Sequence, residues 1–120
     1  MYKSFKEMPI WEEAMDVAEK IFICTEQLPR KEDYGFTSQI RRSALSISAN
    51  IAEAYGRQHS LDKKNFCYYA RGTVTETQSH LEYGTRVGYL SSELVNTLDA
   101  QLGQIHRDLN KVISSLRPSR

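Results

Sequence analysis

Residues Gln39–Gly56 read QIRRSALSISANIAEAYG. Within them Ile40, Ala44, Ile47, Ile51 and the pair Ala54/Tyr55 recur at steps of three and four. That spacing gathers side chains on one face of an α-helix. Arg42, Ser46, Asn50 and Glu53 form a second row at the same spacing, so they share a neighbouring side. The apolar stripe predicts a helix that packs into a helical core. The polar row has two readings. It is either a site for a ligand or polymer, or a network between helices. In the second reading Glu76 is the natural opposite charge for Arg42, and Ser46 and Asn50 supply neutral donors and acceptors.

The same period runs through the rest of the chain. Ile10, Ala14, Val17, Ala18, Ile21 and Leu28 predict a helix over 10–28, with Pro9 at its start and Pro29 as its stop. The central segment predicts a helix over 37–56, capped by Thr37 or Ser38 and closed by Gly56. Phe66, Ala70, Val74 (or Thr73), Thr77 and Leu81 predict the inner face of a helix over 61–88. Ser60 is a plausible cap for it. Gly72 costs about 1 kcal/mol against alanine in such a helix, a loss offset where two backbones approach closely. Leu94, Leu98, Leu102, Ile105, Leu109, Val112 and Leu116 follow a heptad-like seam that predicts a helix over 92–117, capped by Ser91 or Ser92 and ended by Pro118. No strand-like alternation and no repeat interrupts the pattern. The 120 residues therefore predict a single domain over 1–120, all-α, folded as an antiparallel up-down-up-down four-helix bundle.

Charge narrows the functional classes. The net charge is only +1. Between Thr37 and Gly72, however, six bases face two acids, while the first helix carries Glu12, Glu13, Asp16 and Glu19. Arg57, His59, Lys63, Lys64, Tyr68, Tyr69 and Arg71 interleave cations with aromatics. Cations neutralise phosphates and tyrosines stack on unpaired bases. Arg41 joins this set if it faces outward. The bland alternative is a solvated helix start with tyrosines at a packing interface. Trp11, Met15 and Phe22, with Tyr68, Tyr69, Tyr83 and Tyr89, exceed one inward stripe per helix. They predict either a subunit interface or a wide core.

Catalysis finds little support. A di-iron bundle needs Glu-x-x-His pairs on two helices; here His80 follows Glu76 at i+4, once, and His59 and His106 have no such partner. No nucleophile–base arrangement, P-loop or dinucleotide fingerprint is present, and no cofactor or metal is expected. Cys24 and Cys67 stand alone, outside metal or redox spacing, and read as reduced thiols. No apolar run is long enough for a membrane span. Acidic residues break any leader-like start, so the expected location is cytoplasmic.

Four places in the chain carry a family resemblance. They are Trp11-Glu-Glu-Ala14; Pro29 with Glu32-Asp-Tyr34-Gly35; Gln39-Ile-Arg41-Arg42-Ser-Ala44 running on through Ser46-Ile47 to Ala49-Asn50-Ile51-Ala52-Glu53; and Ala70-Arg-Gly72-Thr73 with Glu76. Together they resemble the four-helix-bundle family of ribosomal-RNA intervening-sequence proteins, from Trp11 to about Leu116. Ala54 departs from the pattern, which usually has glycine after the signature glutamate. The resemblance implies a bundle that assembles as a homopentamer, a ring that would repeat the basic cluster five times. The family is also similar to accessory proteins of diversity-generating retroelements, which bind nucleic acid and reverse transcriptase.

The expected function is a non-enzymatic oligomeric bundle that binds RNA or other nucleic acid through Arg41, Arg57, Lys63, Lys64 and Arg71. Trp11, Met15, Phe22, Tyr68 and Tyr69 are its expected subunit interface. Arg42, Ser46, Asn50, Glu53 and Glu76 are its expected structural network. The alternative is an oligomeric scaffold for a protein partner, in which the basic cluster meets the acidic first helix of a neighbour. A third reading is a small-ligand pocket near Asn50 and Glu53.

Overall fold

The computed structural model describes residues 1–116. Four helices dominate it: α1 (Pro9–Thr25), α2 (Phe36–Gly56), α3 (Ser60–Arg86) and α4 (Ser92–Ser115). Short 3-10 turns at Phe5–Glu7 and Arg30–Glu32 precede α1 and α2. Each helix packs on its chain neighbours and α4 closes on α1. Side-chain links show the directions. Arg41, early in α2, reaches Thr25 at the end of α1; Lys63, early in α3, reaches Ala54 and Tyr55 at the end of α2; Arg71 of α3 meets Asn110, late in α4. The result is an up-down-up-down antiparallel four-helix bundle, 52 × 23 × 21 Å.

The α2 stripe lies where its spacing puts it. Ile40, Ala44, Ile47, Ile51 and Ala54 are all buried. They meet Ala14, Val17 and Ile21 of α1, Val74 and Leu81 of α3, and Leu98, Leu102, Ile105 and Leu109 of α4 in one core. Each fully buried leucine or isoleucine contributes roughly 1.5–3 kcal/mol. On α3 the inner face begins at Cys67, not Phe66, which is only partly covered. Cys67 and Cys24 are both free thiols, and burial pushes each thiol up from its ordinary value.

The helix ends differ from the sequence-based expectation for identifiable reasons. α1 ends at Thr25 rather than near Leu28, because the backbone tightens there: the Leu28 amide donates to the Thr25 carbonyl (3.2 Å) ahead of Pro29. Neither Thr37 nor Ser38 caps α2. Instead Glu32 Oε1 accepts the Phe36 amide (3.3 Å) from the preceding loop. α3 stops at Arg86 because Gly88 adopts a left-handed φ of 82°. The Tyr89 amide then donates to the Gly84 carbonyl and the Gly88 amide to the Thr85 carbonyl, a Schellman closure. Ser91 caps α4 as expected, accepting the Leu94 amide at 3.2 Å. The expected end of that helix at 117, and Pro118, lie outside the described residues.

Gly72 is corrected too. It is exposed, and a methyl group added there would meet nothing within 4 Å. The close approach is at Gly84, where an added methyl would lie 2.7 Å from Leu90 Cδ1 and 3.0 Å from Phe36 Cζ. Among the described residues, no helix is long and apolar enough to cross a membrane.

Candidate nucleic-acid interface

Four of the five expected phosphate contacts have work inside the fold. Lys63 Nζ donates to the Ala54 and Tyr55 carbonyls, each at 3.2 Å. The last carbonyls of a helix have no partner within it and form the negative end of its dipole. α2 has no basic residue in its own last turn, so a cation from the next helix closes it. Arg41 does the same for α1. Its Nε donates to Thr25 Oγ1 (2.8 Å), an Nη donates to the Phe22 carbonyl (3.2 Å), and the guanidinium stacks 4.3 Å over the Phe22 ring. Arg71 donates to Asn110 Oδ1 (2.9 Å) and lies 5.2 Å over Tyr68. Arg57 pairs with Glu53 at 3.0 Å and lies 4.7 Å over Phe66, whose ring meets Tyr69 edge-on at 5.5 Å. Lys64 makes no hydrogen bond or ion pair among the described residues.

The fold therefore divides the set. Arg57, Lys63 and Lys64 come together at the α2–α3 junction, with Arg71 two turns further along α3. Arg41 is set apart, about 24 Å from Arg57 along α2 at 1.5 Å per residue. What faces outward is Lys64 and two stacked guanidinium–aromatic pairs, Arg57 on Phe66 and Arg71 on Tyr68. The sequence signal for the internal use of Lys63 was a helix ending in Gly56 without a cation of its own.

The expected Arg42–Glu76 pair is not formed. Arg42 is exposed with no partner among the described residues, and Glu76 lies 3.5 Å from His80 on its own helix. Both sit one position off the contact between α2 and α3. Their neighbours make the buried link instead: the Ser43 and Thr77 hydroxyls lie 3.0 Å apart, with Ser43 donating to the Ile40 carbonyl and Thr77 2.8 Å from the Thr73 carbonyl. The rest of the row bonds within α2. Asn50 Nδ2 donates to the Ser46 carbonyl and hydroxyl (2.9 and 3.1 Å), and Glu53 pairs with Arg57.

Of the expected interface residues, Trp11 is half-buried: it packs against the core of its own chain, and the Phe5 ring meets it edge-on at 5.2 Å. Met15, Ala18, Glu19, Phe22, Arg41 and Leu45 line a shallow groove between α1 and α2. Phe22 and Leu45 are 50% and 54% exposed, and Tyr68 and Tyr69 face solvent. The acidic side of α1 is partly engaged. Gln101 of α4 donates to Glu13 and Asp16, each at 3.0 Å, and Lys20 pairs with Asp16. The Gln101 bond, then Lys20, holds the Asp16 carboxyl below its ordinary value. No group of three or more His, Cys, Asp or Glu among the described residues could hold a metal ion.

Fold and surface together define a class: an all-helical four-helix bundle whose cations close its own helices and whose outer faces keep exposed aromatics. The model of the 23S rRNA-intervening sequence protein family matches residues 6–111, and the chain belongs to that family. A crystal structure of a protein with unknown function from the S23 ribosomal protein family of Bacteroides thetaiotaomicron is similar, at 27% identity and a TM-score of 0.77. The match covers 88% of this chain and 99% of that one. No curated protein matches the chain.

Proposed function

We propose that the protein is a non-catalytic, self-associating helical bundle that binds single-stranded nucleic acid along the outer face of α3. It works in the reducing cytoplasm, which its two free thiols suit. The observation that carries the reading is a pair of guanidinium–aromatic stacks on the two flanks of α3: Arg57 on Phe66, whose ring meets Tyr69, and on the other flank Arg71 on Tyr68, beside unpartnered Lys64. A guanidinium held on a ring keeps its other face, and the N–H groups that Glu53 and Asn110 do not take, for phosphate, and the tyrosines offer faces to unpaired bases. The groove of Met15, Ala18, Phe22 and Leu45 supports self-association. A ring such as the homopentamer would repeat the α3 face, so that weak individual contacts add by multivalency.

The test is a fluorescence-anisotropy titration of labelled single-stranded RNA and DNA at several salt concentrations. Lys64→Glu and Tyr69→Ala should each weaken binding, and affinity should fall steeply with salt. Lys63 is left intact because it closes α2. Failure to bind at low salt would reject the reading. A second reading, a scaffold for a protein partner, has its own support: Arg41, Lys63 and Arg71 already serve the fold, which leaves few cations for phosphate.

A further inference from the structure

A cleft of about 300 Å³ lies between the start of α2 and the last third of α3. Phe36 and Gln39 of α2, Ser79, His80 and Tyr83 of α3, and Glu32 of the loop line it. One wall is aromatic and fixed: the Tyr83 ring packs on Phe36 at 5.4 Å, and Phe36 packs on Tyr89 at 5.9 Å. Tyr83 is nevertheless 51% exposed, so part of its ring is open for stacking. Around that wall, the side-chain polar groups of Gln39, Ser79 and Tyr83 make no hydrogen bond among the described residues.

His80 adds an independent sign. Its Nε2 is buried and has no hydrogen-bond partner among the described residues. Glu76 Oε2, at 3.5 Å, is within ion-pair distance but not aligned as a hydrogen bond. Most buried polar groups in folded proteins are paired, and an unpaired one calls for an explanation. The ring lines the cleft and is 21% exposed, so a base that enters can meet Nε2 once the ring turns outward.

We propose that this cleft receives one unstacked nucleobase, best an adenine. The proposal rests on the nucleic-acid reading and gives it a base-recognising part. A base stacked on Tyr83 presents its edge to Gln39, whose amide offers a donor and an acceptor side by side. That pattern pairs with the N6/N7 edge of adenine. Ser79 and His80 can complete the contacts. The carboxylates of Glu32 and Glu76 oppose a phosphate here, so the base enters and the sugar–phosphate chain stays outside. The cleft also continues the α3 face described above. Phe66, Tyr69, Thr73, Glu76, His80 and Tyr83 follow at steps of three and four, and His80 lies about 16 Å beyond Tyr69 at 1.5 Å per residue.

The experiment compares short single strands of A, of T, and of abasic residues throughout, using wild type, Gln39→Ala and His80→Phe. Wild type should prefer the A strand over the other two by about tenfold, the discrimination of one good bidentate contact. Gln39→Ala and His80→Phe should bring that preference within about twofold while the salt dependence stays the same. Gln39 is exposed, so its variant tests the idea even if His80→Phe folds poorly. A wild type with no base preference, or a preference unchanged in Gln39→Ala, overturns the pocket and leaves the phosphate-binding face standing. Absence of all binding at low salt overturns both.

Discussion

The Glu32 carboxylate joins the α1–α2 loop, the start of α2 and the α3–α4 loop. One oxygen accepts the Phe36 amide and the other accepts the Tyr89 hydroxyl at 2.7 Å. The Tyr89 bond first, then the Phe36 amide, holds the Glu32 carboxyl below its ordinary value. The same bond to Glu32 raises the Tyr89 hydroxyl above its own. Linkage fixes the signs. The lowered carboxyl contributes stability above the unfolded glutamate value, about 4.3, and that contribution is lost as pH falls through the folded value. The raised phenol contributes below about pH 10 and is lost as pH rises through its folded value. Melting curves across pH should therefore show Glu32→Gln melting lower than wild type at neutral pH, with the gap narrowing in acid. A gap that stays constant down to pH 3 would exclude the carboxylate clasp.

Ser43 and Thr77 give a second prediction at this scale. Thr77→Val should cost about 1 kcal/mol in urea unfolding. Adding Ser43→Ala should cost little more, because the two hydroxyls share one bond. Additive losses would mean that they act independently. This contact also shows what a helical period reveals. The apolar stripe of α2 was legible, because burial follows spacing. The polar partner was not, because Arg42–Glu76 and Ser43–Thr77 lie one position apart. Only the rotation of α2 against α3 decides which pair meets.

At the scale of the helix, glycines and caps separate what the chain states from what packing decides. Gly72→Ala adds a methyl in open space and should stabilise α3 by about 1 kcal/mol. Gly84→Ala gains the same propensity but pushes on Leu90 and Phe36. Overpacking of that kind costs roughly 1–3 kcal/mol, so Gly84→Ala should be the less stable of the two. Calorimetry that ranks them the other way would mean that the α3–α4 turn gives more easily than its contacts imply. Lys63→Met keeps the aliphatic stem but removes the ammonium from the α2 carbonyls. It should lower stability by roughly 0.3–1 kcal/mol. Ser91 was legible as a cap because it lies directly before its helix. Glu32 and Lys63 were not, because each reaches a helix end from another segment.

For the whole molecule, the prediction concerns assembly. On the self-association reading, Leu45→Glu should lower the mass measured by sedimentation and leave the helical circular dichroism unchanged. A wild type that sediments as a monomer at micromolar concentration would remove the need for the α1–α2 groove. The antiparallel order has a further consequence for chain connectivity. The start of α1 and the end of α4 lie at the same end of the bundle, where Met8, Ile10, Leu109 and Leu116 line a common cavity. A short tether could join those ends, and the chain could be reopened in the exposed link at Gln58. Every helix and every close contact at the Glu32 end would stay intact. Such a circular permutant should fold to the same bundle, with the α3–α4 hairpin emerging first from the ribosome.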